Sequence, residues 1–321
     1  MLVEDRLLPV NGLLGLVTPH DVNQPLLRDR GYDLAGLEVP VTVGAGKVVT
    51  DALLFNRERS VLLACEAKSG ANVEPAQAAK YRELDAEAVV LAGNITLSSP
   101  VRPSVFPVYA CQCEHIARIR RGLDEVELGC PIVGVCPDHI LFDLPENTPE
   151  VLREAFPTSS LPLGGPPPRL IEFDQDSSAT ALTPAVRAQL VRALALRRQQ
   201  VSVMWLAEEV APYLTFYARA ARQKLVKTVG EAARMIAQGD TSTFEYQGPT
   251  SNDGGFGFVR LLKTPEDNDP RGRTQAYQAL ARSSQGRRRR TRQHDPDQLD
   301  LLQELAQADD EDGTEEGEVT S

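Results

Sequence analysis

Two acids and a lysine carry the first chemical signal in this chain. Glu66 and Lys68 stand two positions apart at the end of the apolar run Val61-Leu62-Leu63-Ala64-Cys65. Alternation in a strand puts the carboxylate and the amine on one face, with Cys65 and Ala67 on the other. The spacing alone means nothing, because 45 acids and six lysines in 321 residues give about one such pair by chance. Its setting is less ordinary. Asp51 lies in the preceding apolar run, across a turn at Arg57 to Arg59, so it faces the Glu66 end of its neighbour. Downstream, Gln77 and Tyr81 are four apart and share one helix face. Two carboxylates beside one amine suit a divalent cation, since Mg²⁺ takes oxygen ligands and keeps waters. Singly, each residue also has a structural reading: Asp51 as a surface acid near a turn, Glu66 and Lys68 as an ion pair, Gln77 and Tyr81 as a packed helix face.

The elements that must position these groups are written as a meander. Residues Leu37 to Val43, Lys47 to Asn56 and Ser60 to Lys68 are three β-branched, apolar runs joined by Gly44-Ala45-Gly46 and Arg57-Glu58-Arg59. Glu74 to Leu84 predicts a helix with Pro75 in its first turn. Ala88 to Ala92 predicts a fourth strand, Phe106 to Gln112 a fifth, and Glu114 to Arg121 another helix. This order predicts an α/β domain, a mostly buried sheet covered by helices, over residues 1–156.

In this setting, Asp51, Glu66-x-Lys68 and Gln77-x-x-x-Tyr81 resemble the PD-(D/E)XK phosphodiesterase superfamily, with the Gln-x-x-x-Tyr element similar to its RecB-like branch. The resemblance covers roughly residues 20–112. It implies a restriction-endonuclease-like mixed sheet flanked by helices and a Mg²⁺- or Mn²⁺-dependent DNA nuclease. By that resemblance Asp51, Glu66 and the Ala67 carbonyl hold the metal, Lys68 serves the water, and Gln77 and Tyr81 touch the substrate backbone. Thr50 stands where the family's nominal Pro would be. The family often adds an acid from its first helix, and here Asp29, Asp33 and Glu38 compete for that role.

Charge divides the rest of the chain. Residues 1–181 are net −10, 182–292 net +10, and 293–321 hold 11 acids and no Lys or Arg. Pro157, Pro162, Gly164, Gly165 and Pro166 to Pro168 predict a linker over 157–181. Residues 182–262 predict an α+β, winged-helix-like nucleic-acid-binding domain. Its helices start at Thr183-Pro184, at Val203 behind a Ser202 cap, and at Tyr213 running to Lys227, with Gly230 to Gln238 extending or following the last. Thr243 to Tyr246 and Phe256 to Leu261 predict a two-stranded wing. Arg219, Arg222, Gln223 and Lys227 lie on or beside its basic face, and Arg287, Arg288, Arg289 and Arg290 add a phosphate-binding arm. Residues 263–321 are too polar to pack and read as a disordered tail, basic and then acidic.

Other signals fall away. Gly44-Ala45-Gly46-Lys47 lacks the earlier Gly and the following Ser or Thr of a phosphate loop. The four His have no partner at ligand spacing. Cys111, Cys113, Cys130 and Cys136 fit neither iron–sulfur nor zinc spacing and, with Cys65, read as small core residues of a reducing compartment. No run of about 18 apolar residues occurs and Glu4, Asp5 and Arg6 open the chain with mixed charge, so a cytoplasmic protein without a membrane partner is expected. Three function classes remain: a DNA nuclease of restriction, phage defence or repair; a non-catalytic DNA-binding regulator on a nuclease scaffold; and an interaction subunit whose partners are proteins of a defence or repair complex.

Overall fold

β-branched alternation and tight turns set the first three strands. The computed structural model of the chain describes residues 6–22, 24–97, 102–157, 159–249 and 255–262. Strands β1 (Tyr32–Val43), β2 (Gly46–Asn56) and β3 (Val61–Lys68) form an antiparallel meander. The β1–β2 turn closes Val43 onto Gly46, and Gly44 supplies its left-handed backbone at φ +55°. Helices α1 (Leu8–Gly15) and α2 (Leu26–Asp29) precede the meander. Helices α3 (Pro75–Arg82) and α4 (Ala86–Ala92) follow it and make the crossover that lets β4 (Ser104–Gln112) run parallel to β3.

The expected strand at Ala88 to Ala92 is therefore a helix. Its cause is local: the Asp85 side chain accepts from the Glu87 and Ala88 N–H groups and starts a helical turn. A five-residue apolar run carries no period that separates helix from strand.

After β4 come α5 (Ile116–Glu125), β5 (Ile132–Val135) parallel to β4, and the antiparallel β6 (His139–Asp143). Then follow α6 (Glu150–Ala155) and β7 (Leu161–Pro162). The result is a mixed seven-stranded sheet in the order β1-β2-β3-β4-β5-β6-β7. One face packs Leu54, Leu63 and Val108 with Leu13 and Leu14 of α1. The other packs Leu53, Leu62 and Tyr109 with Tyr81, Val89, Ile119 and Leu123 of the helices α3 to α5. Cys65, Cys111 and Cys130 are buried free thiols, whereas Cys113 and Cys136, expected as core residues, are joined as a disulfide at the ends of β4 and β5.

The Pro- and Gly-rich stretch returns along α1. Asn11, 4% exposed, exchanges hydrogen bonds with the Ile171 main chain at 2.9 and 2.7 Å, and Arg6 pairs with Asp174. Next come α7 (Ala179–Ala195), β8 (Gln200–Ser202), α8 (Val203–Val210), α9 (Arg219–Gly239), β9 (Phe244–Gln247) and β10 (Phe258–Leu261). Ser202 caps α8 as the sequence predicts, through the Trp205 N–H at 3.1 Å. Ser178 caps α7, so that helix begins before Pro184 and encloses it. The last predicted helix is also redrawn. Leu214–Phe216 is one 3-10 turn, Tyr217 is extended and bridges to Leu37, and a single α9 absorbs 230–238. The strands form an antiparallel sheet in the order β8-β10-β9, of which β8 was not expected. Apolar side chains of α7, α8, α9 and β10 continue the core on the α1 face of the large sheet. Among the described residues no helix is long and apolar enough to cross a membrane.

Candidate active site

The site forms where β2 and β3 part. Their ladder ends at Ala52↔Cys65, so the next N–H on this edge of β3, that of Ala67, needs another acceptor. Asp51 supplies it: its Oδ2 accepts from the Ala67 N–H at 2.6 Å. A residue's N–H and C=O leave a strand on the same edge, so the Ala67 carbonyl faces this gap as well.

Glu66 is held from three directions, by the residues the sequence singles out. Lys68 Nζ lies 2.6 Å from its Oε1, Gln77 Nε2 donates to the same oxygen at 2.9 Å, and the Tyr81 hydroxyl donates to Oε2 at 2.7 Å. The Val49 carbonyl is 3.2 Å from the same hydroxyl, but Tyr81 has one proton to give and the carboxylate is nearer and charged. Lys68 also donates to Gln77 Oε1 at 2.7 Å, which fixes the amide's orientation. The four-residue spacing on α3 is what lets Gln77 and Tyr81 reach one carboxylate together. Glu66 is 4% exposed and Tyr81 1%.

Electrostatics follow from this crowding. Burial first, and then the negative charge of Glu66, push the Asp51 carboxyl well above its usual range, against the pull of the Ala67 N–H. Burial and Glu66 likewise raise the Tyr81 phenol, so it stays a donor. Asp51 thus faces a second carboxylate, and a cation in the gap would relieve that repulsion. Among the described residues no group of three or more His, Cys, Asp and Glu is gathered for a metal ion. The candidate donors are two carboxylates and one main-chain carbonyl, hard oxygens that suit Mg²⁺ or Mn²⁺ and leave positions for water.

A cavity of about 150 Å³ opens beside Asp51 and Ala67, lined further by Arg6, Glu38, Asp174 and Tyr217 among others. Of the three acids expected to compete, Asp29, at the end of α2, accepts from Gln24 and Asp33 is exposed on β1; Glu38 reaches the cavity, from β1 and not from a helix. Leu37 pairs with Ala52 and Val39 with Thr50, which sets Glu38 level with Asp51. Its backbone is left-handed, φ +52°, a costly conformation for a side-chain-bearing residue. Burial, then the charges of Asp174 and Asp176, raise its carboxyl to about 7, and Gln175 Nε2 donates to it at 2.8 Å. Asp174, Arg6 and Tyr217 were not singled out for the site from the sequence. Asp174 is 4% exposed and accepts from Arg6 at 2.5 Å and from the Ser177 hydroxyl at 3.0 Å. No sequence signal joins residues 168 apart.

The basic residues gather elsewhere. Arg219, Arg222 and Gln223 line an open groove of about 460 Å³ with Met204, Val226 and Phe256. Lys227 is exposed on the same helix, one turn beyond Gln223. Lys224 turns instead to Asp176, at 2.7 Å. Gly230 keeps the hairpin close, since a Cβ there would lie 3.3 Å from Val203 and 3.5 Å from the Tyr246 hydroxyl. Arg287 to Arg290 and the tail over 263–321 lie outside the described residues. No protein-family model, curated protein or solved structure matches the chain.

Proposed function

We propose that this protein is a Mg²⁺- or Mn²⁺-dependent DNA nuclease of the PD-(D/E)XK type, with a winged-helix-like DNA-binding unit. One observation carries the reading: Glu66 is gripped by Lys68, Gln77 and Tyr81 while Asp51 faces it across the opening between β2 and β3. Such a network costs stability when left half satisfied, and here every member is engaged. The order of elements supports it, since a helix, three antiparallel strands, a helical crossover and a parallel strand carry these residues.

Asp51, Glu66 and the Ala67 carbonyl would hold the metal. When bound, it supplies positive charge to the phosphate oxygens and acidity to a coordinated water. The chain's own groups do the rest. Tyr81 and Gln77 fix the Glu66 carboxylate, so its ligating direction is set before substrate arrives. Lys68 spends donors on Glu66 and Gln77, and an ammonium has three, so one remains for the attacking water or a phosphate oxygen. The order helix, strand, helix, helix, strand, strand over 179–261 supports the winged-helix part, as do Arg219, Gln223 and Lys227 at four-residue steps along α9.

The test incubates the full chain with linear, circular and single-stranded DNA in Mg²⁺, Mn²⁺ and EDTA. Cleavage in either metal and none in EDTA is expected. DNA binding without cleavage in any metal would select a non-catalytic regulator, and no affinity for DNA would select an interaction subunit of a defence or repair complex.

A further inference from the structure

We propose that the groove at the start of α9 takes an unpaired nucleotide of the strand being cut, so that the protein prefers DNA with a single-stranded end. This rests on the DNA nuclease reading and adds the form of substrate. The groove joins two chemistries. Its floor is Met204, Val226 and Phe256, and its rim is Arg219, Arg222 and the Gln223 amide. An apolar floor with one aromatic ring suits the face of a base, two guanidinium groups suit phosphate, and an amide suits a base edge. About 460 Å³ lies within the range of small-ligand clefts.

Charge selects a polyanion. Arg219 and Arg222 sit in the first turn of a 21-residue helix, whose N-terminal end is already partly positive. Neither has a carboxylate partner among the described residues, whereas Lys224 on the same helix has Asp176. The position then ties the groove to the cutting site. Tyr217 lines the cavity beside Asp51 and Arg219 lines the groove, two residues and so at most about 7 Å of backbone apart. The junction is pinned, because the Ala218 N–H donates to the Leu37 carbonyl at 2.9 Å, next to Glu38.

The floor excludes a paired occupant. Inside a duplex the faces of the bases are stacked on one another, and at a blunt end the one open face belongs to a whole base pair, so a lone unpaired base is what fits against the Phe256 ring.

The experiment measures binding of the full chain in EDTA, by fluorescence anisotropy, to a blunt duplex, to the same duplex with a single-stranded overhang, and to that overhang with its bases removed and its phosphates kept. The overhang is expected to bind about five- to 150-fold tighter than both others, the range of one stacked base. Phe256→Ala and Phe256→Leu should lose that advantage, while Phe256→Tyr keeps it. The abasic overhang needs no variant, so the proposal stays falsifiable if a Phe256 variant fails to fold. Equal affinity for all three DNAs, or an abasic overhang as good as the natural one, would overturn the groove's role and leave the nuclease reading standing. No affinity for any DNA would overturn both.

Discussion

Around Glu66 each carboxylate oxygen has a donor, and the arginines in the first turn of α9 have no carboxylate partner among the described residues. Lys68, Gln77 and Tyr81 close on one acid at 2.6 to 2.9 Å, in a place that is 4% exposed. Arg219, Arg222 and Gln223 border an open groove instead. The difference separates two tasks. Groups that must act on a reacting phosphate gain from being held rigid before it arrives. Groups that must attract a long anion gain from charge left uncompensated and accessible. In the proposed nuclease, changes near Glu66 should therefore alter turnover, and changes on α9 should alter affinity.

The largest effect that sharpens this contrast is at the carboxylates and the amine. Asp51→Ala and Lys68→Ala should each lower cleavage at saturating DNA by at least about 10²- to 10³-fold, the cost of removing one preorganised charge-stabilising group. DNA affinity measured in EDTA should not move. Loss of affinity instead would break the separation of tasks.

Next comes the basic face. Arg219→Ala, Arg222→Ala and Lys227→Ala combined should weaken binding and flatten its salt dependence. Each lost phosphate contact should remove about 0.9 from the log–log slope. Cleavage at saturating DNA should stay near wild type. A triple variant with an unchanged slope would show that α9 is not the phosphate-binding face.

A smaller effect belongs to Tyr81. Tyr81→Phe removes the donor from Glu66 Oε2, and a buried acceptor left unsatisfied costs about 1–3 kcal/mol of stability by urea unfolding. An unchanged midpoint would mean that Oε2 does not depend on the phenol.

The last concerns Glu38, and its sign is fixed by linkage. Folding raises this carboxyl from 4.5 to about 7, so between those values the folded chain binds a proton that the unfolded chain has released. Stability contributed by this group is thus present below pH 4.5, falls as pH rises, and is lost above about pH 7. Glu38→Gln removes that part of the fall, leaving the share from Asp51, which is raised in the same direction. Melting curves at pH 5, 6, 7 and 8 in EDTA check it. A variant with the wild-type pH profile would contradict the buried acid.

What the sequence told in advance follows from where local rules apply. Strand alternation joined Glu66 to Lys68, a hairpin brought Asp51 opposite, and four-residue spacing joined Gln77 to Tyr81. The same kind of rule located the Ser202 cap. Glu38 was beyond such rules, because it reaches the cavity through a left-handed residue in β1 and not through a helix face. Arg6 and Asp174 meet only because the Pro-rich stretch returns to α1, which no local pattern encodes. Ala88 to Ala92 was misread because a short apolar run gives way to a capping Asp85, and Tyr217 because its pairing with Leu37 outweighs its helical surroundings.

In the proposed nuclease, metal-dependent cleavage of the phosphodiester depends on Glu66, held by Lys68, Gln77 and Tyr81. The most direct test of that dependence is the single-turnover rate of linear DNA cleavage in Mg²⁺ by wild type and by Glu66→Gln, with both proteins saturating the DNA as shown by anisotropy. Cleavage by wild type that stops in EDTA is expected, with a Glu66→Gln protein that binds equally and does not cut. Cleavage by Glu66→Gln at the wild-type rate, or no cleavage by wild type in Mg²⁺ or Mn²⁺, would contradict it.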